Sequence, residues 1–444
     1  MDLTRLAYSL LFYALTPLVY LRLWWRGRRQ PGYRRHLGER FGYSAPPDGA
    51  APDEGTPWLW LHAVSVGETR AAQPIVQALL DRYPSHHLVI TGMTPTGRDT
   101  AESLYRAAGF PGRQRIAVAY LPYDLPGAVN RFIDAWRPKV GVLMETELWP
   151  NLVQSCAARQ VPVVLANARL SERSARGYRR FAALARPAFA ALAAVAAQTR
   201  ADAERLAGCG AENIAVCGNV KFDVAPPPAL LDRGRAWRTA FQAGGPRPVL
   251  LAASTREGEE PLVLDAFAAL RRQPGLERTL LVLVPRHPQR FDAVATLAQG
   301  AGLALARRSA TPGEAAPAVD TATDVWLGDS LGEMPAYYAC ADLAFIGGSL
   351  VPLGGQNLIE AAACGCPVLI GPHTFNFAQA TRDAVAAGAA RQVADPTELA
   401  AVAGELLARP TALTAMKDAA TAFSAAHRGA TERVMAVITA AMRG

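Results

Sequence analysis

Several short stretches carry residue types that can do chemistry, each where an apolar run gives way to a helical pattern. His62-Ala-Val-Ser65-Val-Gly67-Glu68 follows the run Trp58–His62; Gly67 permits a tight turn and Glu68 would project from a first helical turn as a general base. Ser65-x-x-Glu68 is equally the spacing of a capping box, in which the acid only closes a helix start. Both readings stand open. Glu145 and Glu147 follow the run Val140–Met144, so two carboxylates leave one strand end. Acids at such positions are also ordinary helix-start residues favoured by the macrodipole.

Later in the chain the signals favour anions. Ser254-Thr255-Arg256-Glu257 could hold an anion on helix-start amides with Arg256 nearby, although Ser254-x-x-Glu257 is again capping spacing. Pro285-Arg286-His287-Pro288 sets a planar guanidinium fork at a strand end, a good match to phosphate or carboxylate. His287 is a base or, more simply, a hydrogen-bonding residue. Gly347-Gly348-Ser349 and Gly354-Gly355-Gln356-Asn357 bracket a loop before a helix that carries Glu360. Glycines allow close backbone approach, helix-start amides attract phosphate, and a carboxylate one turn in suits ribose hydroxyls. Absences narrow the chemistry: there is no GxxxxGK[ST], HExxH or strand-to-helix GxGxxG, and no Asp-x-Asp to hold a metal-bound sugar nucleotide.

The elements that must position these residues read as two α/β halves. Strand-like runs at Trp58–His62, Leu88–Thr91, Ile116–Leu121, Val140–Glu145, Val161–Ala166 and Val195–Gln198 alternate with helical stretches. A second series, Val249–Ala253, Leu280–Val284, Asp324–Trp326, Leu343–Ile346 and Val368–Ile370, repeats the pattern. Many are uninterrupted apolar runs, as expected of parallel strands covered on both faces. Residues 44–57 and 223–248 read as linkers and 309–320 as a solvated loop. The expected organisation is a membrane-active segment over 1–43, an α/β domain over 58–222, a linker over 223–248 and a second α/β domain over 249–444. A ligand cleft is expected between the carboxyl ends of the two sheets.

Composition sets the class. In 444 residues, hydrophobic types make up 50% and charged types 19%, a globular profile. The net charge is +8, but the first 40 residues hold +6 of it, leaving +2 for the rest, so a general nucleic-acid surface is disfavoured. The six cysteines form no CxxC pair and are expected to be reduced, buried thiols. Ahead of the arginines, Leu6–Trp25 is almost continuously apolar. Its first part, to Leu21, would make roughly 24 Å of helix, short of a ~30 Å hydrocarbon core unless Arg22 snorkels. Spanning, interfacial insertion and a plain buried helix all stand. Charge that follows the apolar stretch argues against a secretory signal and for a cytoplasmic remainder. Anionic lipid would attract each arginine by ~1 kcal/mol.

These motifs together resemble the 3-deoxy-D-manno-octulosonic acid (Kdo) transferases. The resemblance rests on RLWWRGRRQPGYRRHLGERFG, HAVSVGET, TGMTPTG, YLPYDLP, METELWPNL, NARLSERSARGY, GNVKFD, STREGEE, VPRHPQRF, GDSLGEM, GGSLVPLGGQNLIEAAA and GPHTFNF. It implies a GT-B-like fold of two doubly wound α/β domains with an N-terminal membrane-associated helix on the cytoplasmic face of the inner membrane. The implied activity is metal-independent, inverting transfer of Kdo from CMP-Kdo to a lipid A precursor, with no cofactor. By the same resemblance Glu68 is the base, and Glu145 and Lys221 stabilise charge. CMP contacts then fall on Arg286, His287, Gly332, Glu333, Met334, Asn357, Leu358, Ile359 and Glu360. Ser254, Thr255, Gly348, Ser349 and Gly355 are weaker donor-site candidates, and Thr94 and Thr96 lie on the acceptor side. Arg256 stands where the family leads one to expect histidine. Glu39 is expected to pair with Arg35 or Arg40. Another GT-B transferase, a sugar-nucleotide epimerase and a non-catalytic membrane-anchored binding protein are the competing readings.

Overall fold

Runs that are apolar at nearly every residue become strands buried along their whole length, because a parallel sheet between helical layers offers them no solvent face. Trp58–His62, Leu343–Ile346 and Val368–Ile370 form strands over just those bounds, each buried throughout. The computed structural model describes residues 3–47, 50, 51, 55–311, 313, 317 and 319–443. Parts of the expected 44–57 linker (48, 49, 52–54) and of the 309–320 loop (312, 314–316, 318) lie outside the described residues. The chain divides into two units, Met1–Val224 with Arg428–Gly444, and Ala225–His427.

In the first unit β1 (Trp58–His62), β2 (His87–Gly92), β3 (Ile116–Tyr120), β4 (Pro138–Met144), β5 (Val163–Ala168), β6 (Ala194–Ala197) and β7 (Ile214–Val216) form one sheet in the order β3-β2-β1-β4-β5-β6-β7. The second holds β8 (Val249–Thr255), β9 (Leu280–Pro285), β10 (Leu305–Arg307), β11 (Val325–Leu327), β12 (Leu343–Ile346), β13 (Val368–Ile370) and β14 (Ala390–Gln392), ordered β10-β11-β9-β8-β12-β13-β14. Every pairing is parallel. Strand order reverses between β1 and β4 and between β8 and β12, the place where doubly wound sheets hold ligands beyond their carboxyl ends. The expected fold class is therefore present in each half.

β7, β10 and β14 escape the apolar-run signal. All are three-residue edge strands, mostly half-buried, so a continuous apolar run is not required of them. The expected domain limits also shift. The 223–248 stretch is not an open linker: helix Pro228–Phe241 packs on the second unit, where Trp237 meets Trp326 edge-on at 5.0 Å and Phe241 meets it at 5.2 Å. The second domain does not run to the C-terminus. Helix Ala430–Ala441 belongs to the first unit, because Ala430, Val434, Met435 and Ile438 make one apolar stripe that covers β4, β5 and β6. Asp223 accepts from Gly429 N at 2.7 Å and Thr431 N at 2.5 Å, capping that helix.

The N-terminal segment is not a separate domain either. It is one helix, Leu3–Arg29, continuous through Pro17 and Arg22, and thus roughly 40 Å long. One side docks on the first unit: Asn151 Nδ2 donates to Ser9 Oγ at 3.0 Å, Gly127 N donates to Tyr13 Oη at 3.1 Å, and Tyr20 stacks on Phe41 at 4.7 Å. Leu10, Leu11, Leu18, Leu21 and Trp25 are exposed on the remainder. Glu39 bonds Arg98 at 2.6 Å, His36 at 3.2 Å and the Tyr120 N–H at 2.8 Å, in place of the expected Arg35 or Arg40, because its loop folds back onto β3.

Candidate active site

β1 and β4 are neighbours, with His62 opposite Leu143, so the segments leaving their ends lie side by side. Glu68 comes from one and Glu145 and Glu147 from the other. Ser65 caps the short helix Val66–Ala71, its Oγ accepting from Glu68 N at 3.3 Å and donating to Glu68 Oε1 at 3.1 Å. Val64 N donates to Glu68 Oε2 at 2.9 Å. The capping geometry thus forms, and it orients the carboxylate without neutralising it. Burial raises the Glu68 carboxyl to about 7, helped by the charges of Glu145 and Glu147 and opposed by the bonds from Val64 and Ser65. A half-buried carboxyl at that value is matched to proton abstraction near neutral pH.

Glu145 has φ +58°, a left-handed conformation uncommon for a residue with a Cβ and found where structure constrains a functional side chain. Its Oε1 lies 3.0 Å from Lys221 Nζ and its Oε2 3.5 Å from Arg169 Nε. Lys221 is held in the turn Val220–Asp223, where Asn219 Oδ1 accepts the Lys221 N–H. Glu147 accepts from Trp149 Nε1 at 3.1 Å, and burial raises its carboxyl. His62, fully buried, is pushed down to about 3 by burial; neutral, it donates from Nδ1 to the Thr91 carbonyl at 3.0 Å and is no rival as base. Thr94, expected on the acceptor side, is committed to structure: its Oγ1 accepts from Gly97 N and reaches the Val64 carbonyl at 3.4 Å. Thr96 is exposed, 3.5 Å from Thr94.

In the second unit the decisive acid is one that capping arithmetic passes over. Glu257 is exposed and meets Arg290 at 3.3 Å. Glu259, fully buried, instead accepts from Arg256 N (3.2 Å), Gly348 N (2.6 Å), Ser349 N (3.0 Å) and Leu350 N (3.0 Å). Burial raises its carboxyl while these four bonds pull it down. The amides of Gly348 and Ser349, expected to meet phosphate, are therefore filled from within. Ser349 is also fully buried, its Oγ spanning the Ile346 carbonyl and Gly371 N. The available signal is the cluster of acids Glu257, Glu259 and Glu260 in STREGEE, of which two turn inward: Glu259 onto these amides and Glu260, equally buried, onto Arg290 at 3.2 Å. Glu259→Ala should leave these buried donors without an acceptor, at roughly 1–3 kcal/mol each before water refills the gap. A loss on the order of 3 kcal/mol, read from the urea midpoint, is expected, against ~0.5 kcal/mol or less for exposed Glu257→Ala.

What Glu259 does is fix Arg256 beside the β9 loop. His287 is lowered by burial and then by the positive charges of Arg256 and Arg286, so three basic side chains converge there. Ser254 carries φ +58°, and Thr255 Oγ1 is buried without a hydrogen-bond partner. Gly355 donates its N–H to the Gly348 carbonyl at 2.8 Å, closing the loop. Asn357 Oδ1 accepts from Ile359 N at 3.1 Å, so Asn357 is a helix cap; Leu358 and Ile359 are buried, and only their backbone could meet a ligand. Glu360 lies one turn on, half-buried. Glu333 is tied to Arg233 (2.8 Å), Arg308 (2.9 Å) and Ser330 (2.5 Å), with Gly332 exposed at φ +81° and Met334 opening the next helix. Burial would raise the Glu333 carboxyl, but the bonds from Arg308 and Ser330 hold it below its ordinary range.

Solved structures with the same architecture include a glycosyltransferase from Rickettsia africae (TM-score 0.58, 11% identity, 88% of this chain and 99% of that one). A UDP-GlcNAc 2-epimerase from Neisseria meningitidis bound to UDP-GlcNAc matches with TM-score 0.56 and 14% identity over 87% of this chain and 100% of that one. These share the GT-B-like fold. Sequence similarity goes further. Residues 35–224 match the family described as 3-Deoxy-D-manno-octulosonic-acid transferase (kdotransferase). The 3-deoxy-D-manno-octulosonic acid transferase of Bordetella pertussis is 48% identical over 97% of this chain and 98% of its own, and that of Haemophilus influenzae 37% identical over 85% and 84%. The carboxylates after β1 and β4, the lysine that faces them and the basic cluster of the second unit thus stand in a chain that belongs to the 3-deoxy-D-manno-octulosonic acid transferases, a family of glycosyltransferase enzymes.

Proposed function

We propose that the enzyme transfers Kdo from CMP-Kdo to a sugar hydroxyl of a lipid A precursor, by one inverting displacement and without a metal ion or cofactor. The observation that carries this reading is Glu68, a base set to about 7 at the end of β1, with Glu145 and Lys221 paired beside it. Glu68 takes the acceptor hydroxyl proton as that oxygen bonds the anomeric carbon of Kdo. The bond from that carbon to the CMP phosphate oxygen breaks, and CMP leaves with the electron pair. Positive charge that develops on the sugar ring is answered by Glu145, and Lys221 balances the departing phosphate or the Kdo carboxylate. Arg256, Arg286 and His287 suit the donor's anionic groups, with Asn357 and Glu360 toward the ribose and Gly332-Glu333-Met334 supplying backbone contacts.

The N-terminal helix supports attachment to the cytoplasmic face of the inner membrane. It is long and apolar enough to cross a bilayer by length and composition, but the contacts of Ser9, Tyr13 and Tyr20 hold one side against the first unit. A helix docked in this way lies in the interface, its exposed leucines in lipid and Arg26, Arg28 and Arg29 at headgroup phosphates.

Purified protein incubated with CMP-Kdo and a Kdo-free lipid A precursor is expected to yield a Kdo-bearing glycolipid, counted by mass spectrometry. No product would overturn the reading. Tighter binding of UDP than of CMP would favour a different sugar nucleotide.

A further inference from the structure

The first unit contains a cavity of about 610 Å³ that none of the assigned catalytic groups lines. Glu147 lines it, two residues from Glu145 after β4, and the charge of Glu147 reaches both Glu68 and Tyr178, so the cavity lies near the proposed base. Aromatic side chains form the walls: Trp149 from the β4 loop, Tyr178 and Phe181 from the region of helix Glu172–Arg180, and Tyr8 from the membrane-facing helix. Phe181 leaves 66% of its surface exposed, a large apolar group that the described residues leave mostly uncovered. The volume lies within the range of ordinary ligand pockets, which are apolar with a few placed polar groups. Helix Glu172–Arg180 adds charge. Gly177 lines the cavity, and Arg173 and Arg180, both exposed, lie one turn to either side of it on the same helix, the spacing at which helical residues neighbour one another.

We infer that this cavity is the acceptor subsite: it takes a phosphorylated glycolipid, with a sugar ring between the aromatic walls and hydroxyls on Glu147. An acyl chain leaves past Phe181 and Tyr8 toward the lipid, and Arg173 and Arg180 receive a phosphate of the sugar. This rests on the proposed glycolipid acceptor and adds where it binds and which groups read it. A lining carboxylate, aromatic walls, an exposed apolar rim and arginines on the lining helix together fit an anionic amphiphile better than a free sugar, which would leave Phe181 in water.

Gly177 offers a clean test, because a Cβ there meets nothing within 4 Å. Gly177→Trp in the full-length enzyme should fill the cavity from a helical position without strain. The expected result is at least a tenfold higher KM for the lipid A precursor, an unchanged KM for CMP-Kdo and an unchanged melting temperature. Arg173→Ala with Arg180→Ala, surface changes that do not threaten folding, should raise the acceptor KM several-fold for the phosphorylated acceptor and not for its dephosphorylated form. Wild-type acceptor KM in both variants would overturn the cavity assignment while transfer by the wild type upheld the activity. A wild-type enzyme that transfers nothing would sink both.

Discussion

Glu68→Gln is expected to cut kcat by about 10²–10⁴-fold, the usual contribution of a positioned general base, and to abolish the pH dependence of what remains. In the wild type kcat/KM should climb about tenfold per pH unit below 7 and level off above it, since the carboxylate is the active form and burial holds its carboxyl at about 7. The same shift makes a stability statement. The folded-state value lies above the ordinary 4.5, so the native state binds the proton more tightly than the unfolded chain. That contribution is fully present below 4.5 and is lost as pH rises through 7. The amide introduced by Glu68→Gln retains an acceptor for Val64 N and carries no charge to desolvate. The variant should therefore be more stable than wild type at pH 8, by up to about 3 kcal/mol at 1.36 kcal/mol per unit, with the gain vanishing near pH 4. Denaturant melts at the two pH values check this. A variant that loses activity and also stability at pH 8 would point to a merely structural acid.

Lys221→Met should be the second most damaging change. Lys221 Nζ is 3.0 Å from Glu145 Oε1, with both side chains largely buried, and Arg169, the other cation on Glu145, is 45% exposed. Removing one partner of such a pair leaves a poorly compensated charge, at a cost of about 3 kcal/mol. On the proposed mechanism, loss of the ammonium also removes the charge that would balance the leaving phosphate, for an expected drop in kcat of about 10²–10³-fold. A purely structural lysine would not move the pH profile. Here it should move, because Glu145 already raises the Glu68 carboxyl and would do so more without its counter-charge. The limb near pH 7 is expected to shift to higher pH, and Lys221→Arg to restore its position but only part of kcat, since a planar fork does not replace a compact ammonium. An unshifted limb would detach Lys221 from the site.

How much of this is readable beforehand depends on whether a signal is local. Central strands announce themselves because burial on both faces demands apolar residues in a row, as in Leu343–Ile346. Edge strands such as β10, Leu-Ala-Arg, carry no such demand. The N-terminal helix is apparent as apolar residues before arginines, but its length past Arg22 and its docked face are not, because Ser9 and Tyr13 gain meaning only from Asn151 and Gly127, more than 100 residues away.

The same division holds at the chemistry. The types and order of residues are enough to place Glu68, Glu145 and Glu147 at strand ends, to exclude the common nucleotide and metal motifs, and to identify the family, since these are properties of neighbours along the chain. Whether Ser65 and Glu68 make a cap or a base could not come from spacing; the structure shows the cap, and burial together with Glu145 across the strand pair gives the same carboxyl the proton affinity that the proposed base requires. Which acids of STREGEE turn inward, and that Glu259 fills the very amides that glycines seemed to reserve for phosphate, depend on β8 lying beside β12. Helix Ala430–Ala441 crosses back to cover β4, β5 and β6 because its apolar stripe needs a partner and the second unit's faces are already covered by their own helices. Local sequence specifies which groups are present; only the packing of distant strands sets their neighbours, and it is the neighbours that set a carboxyl's proton affinity.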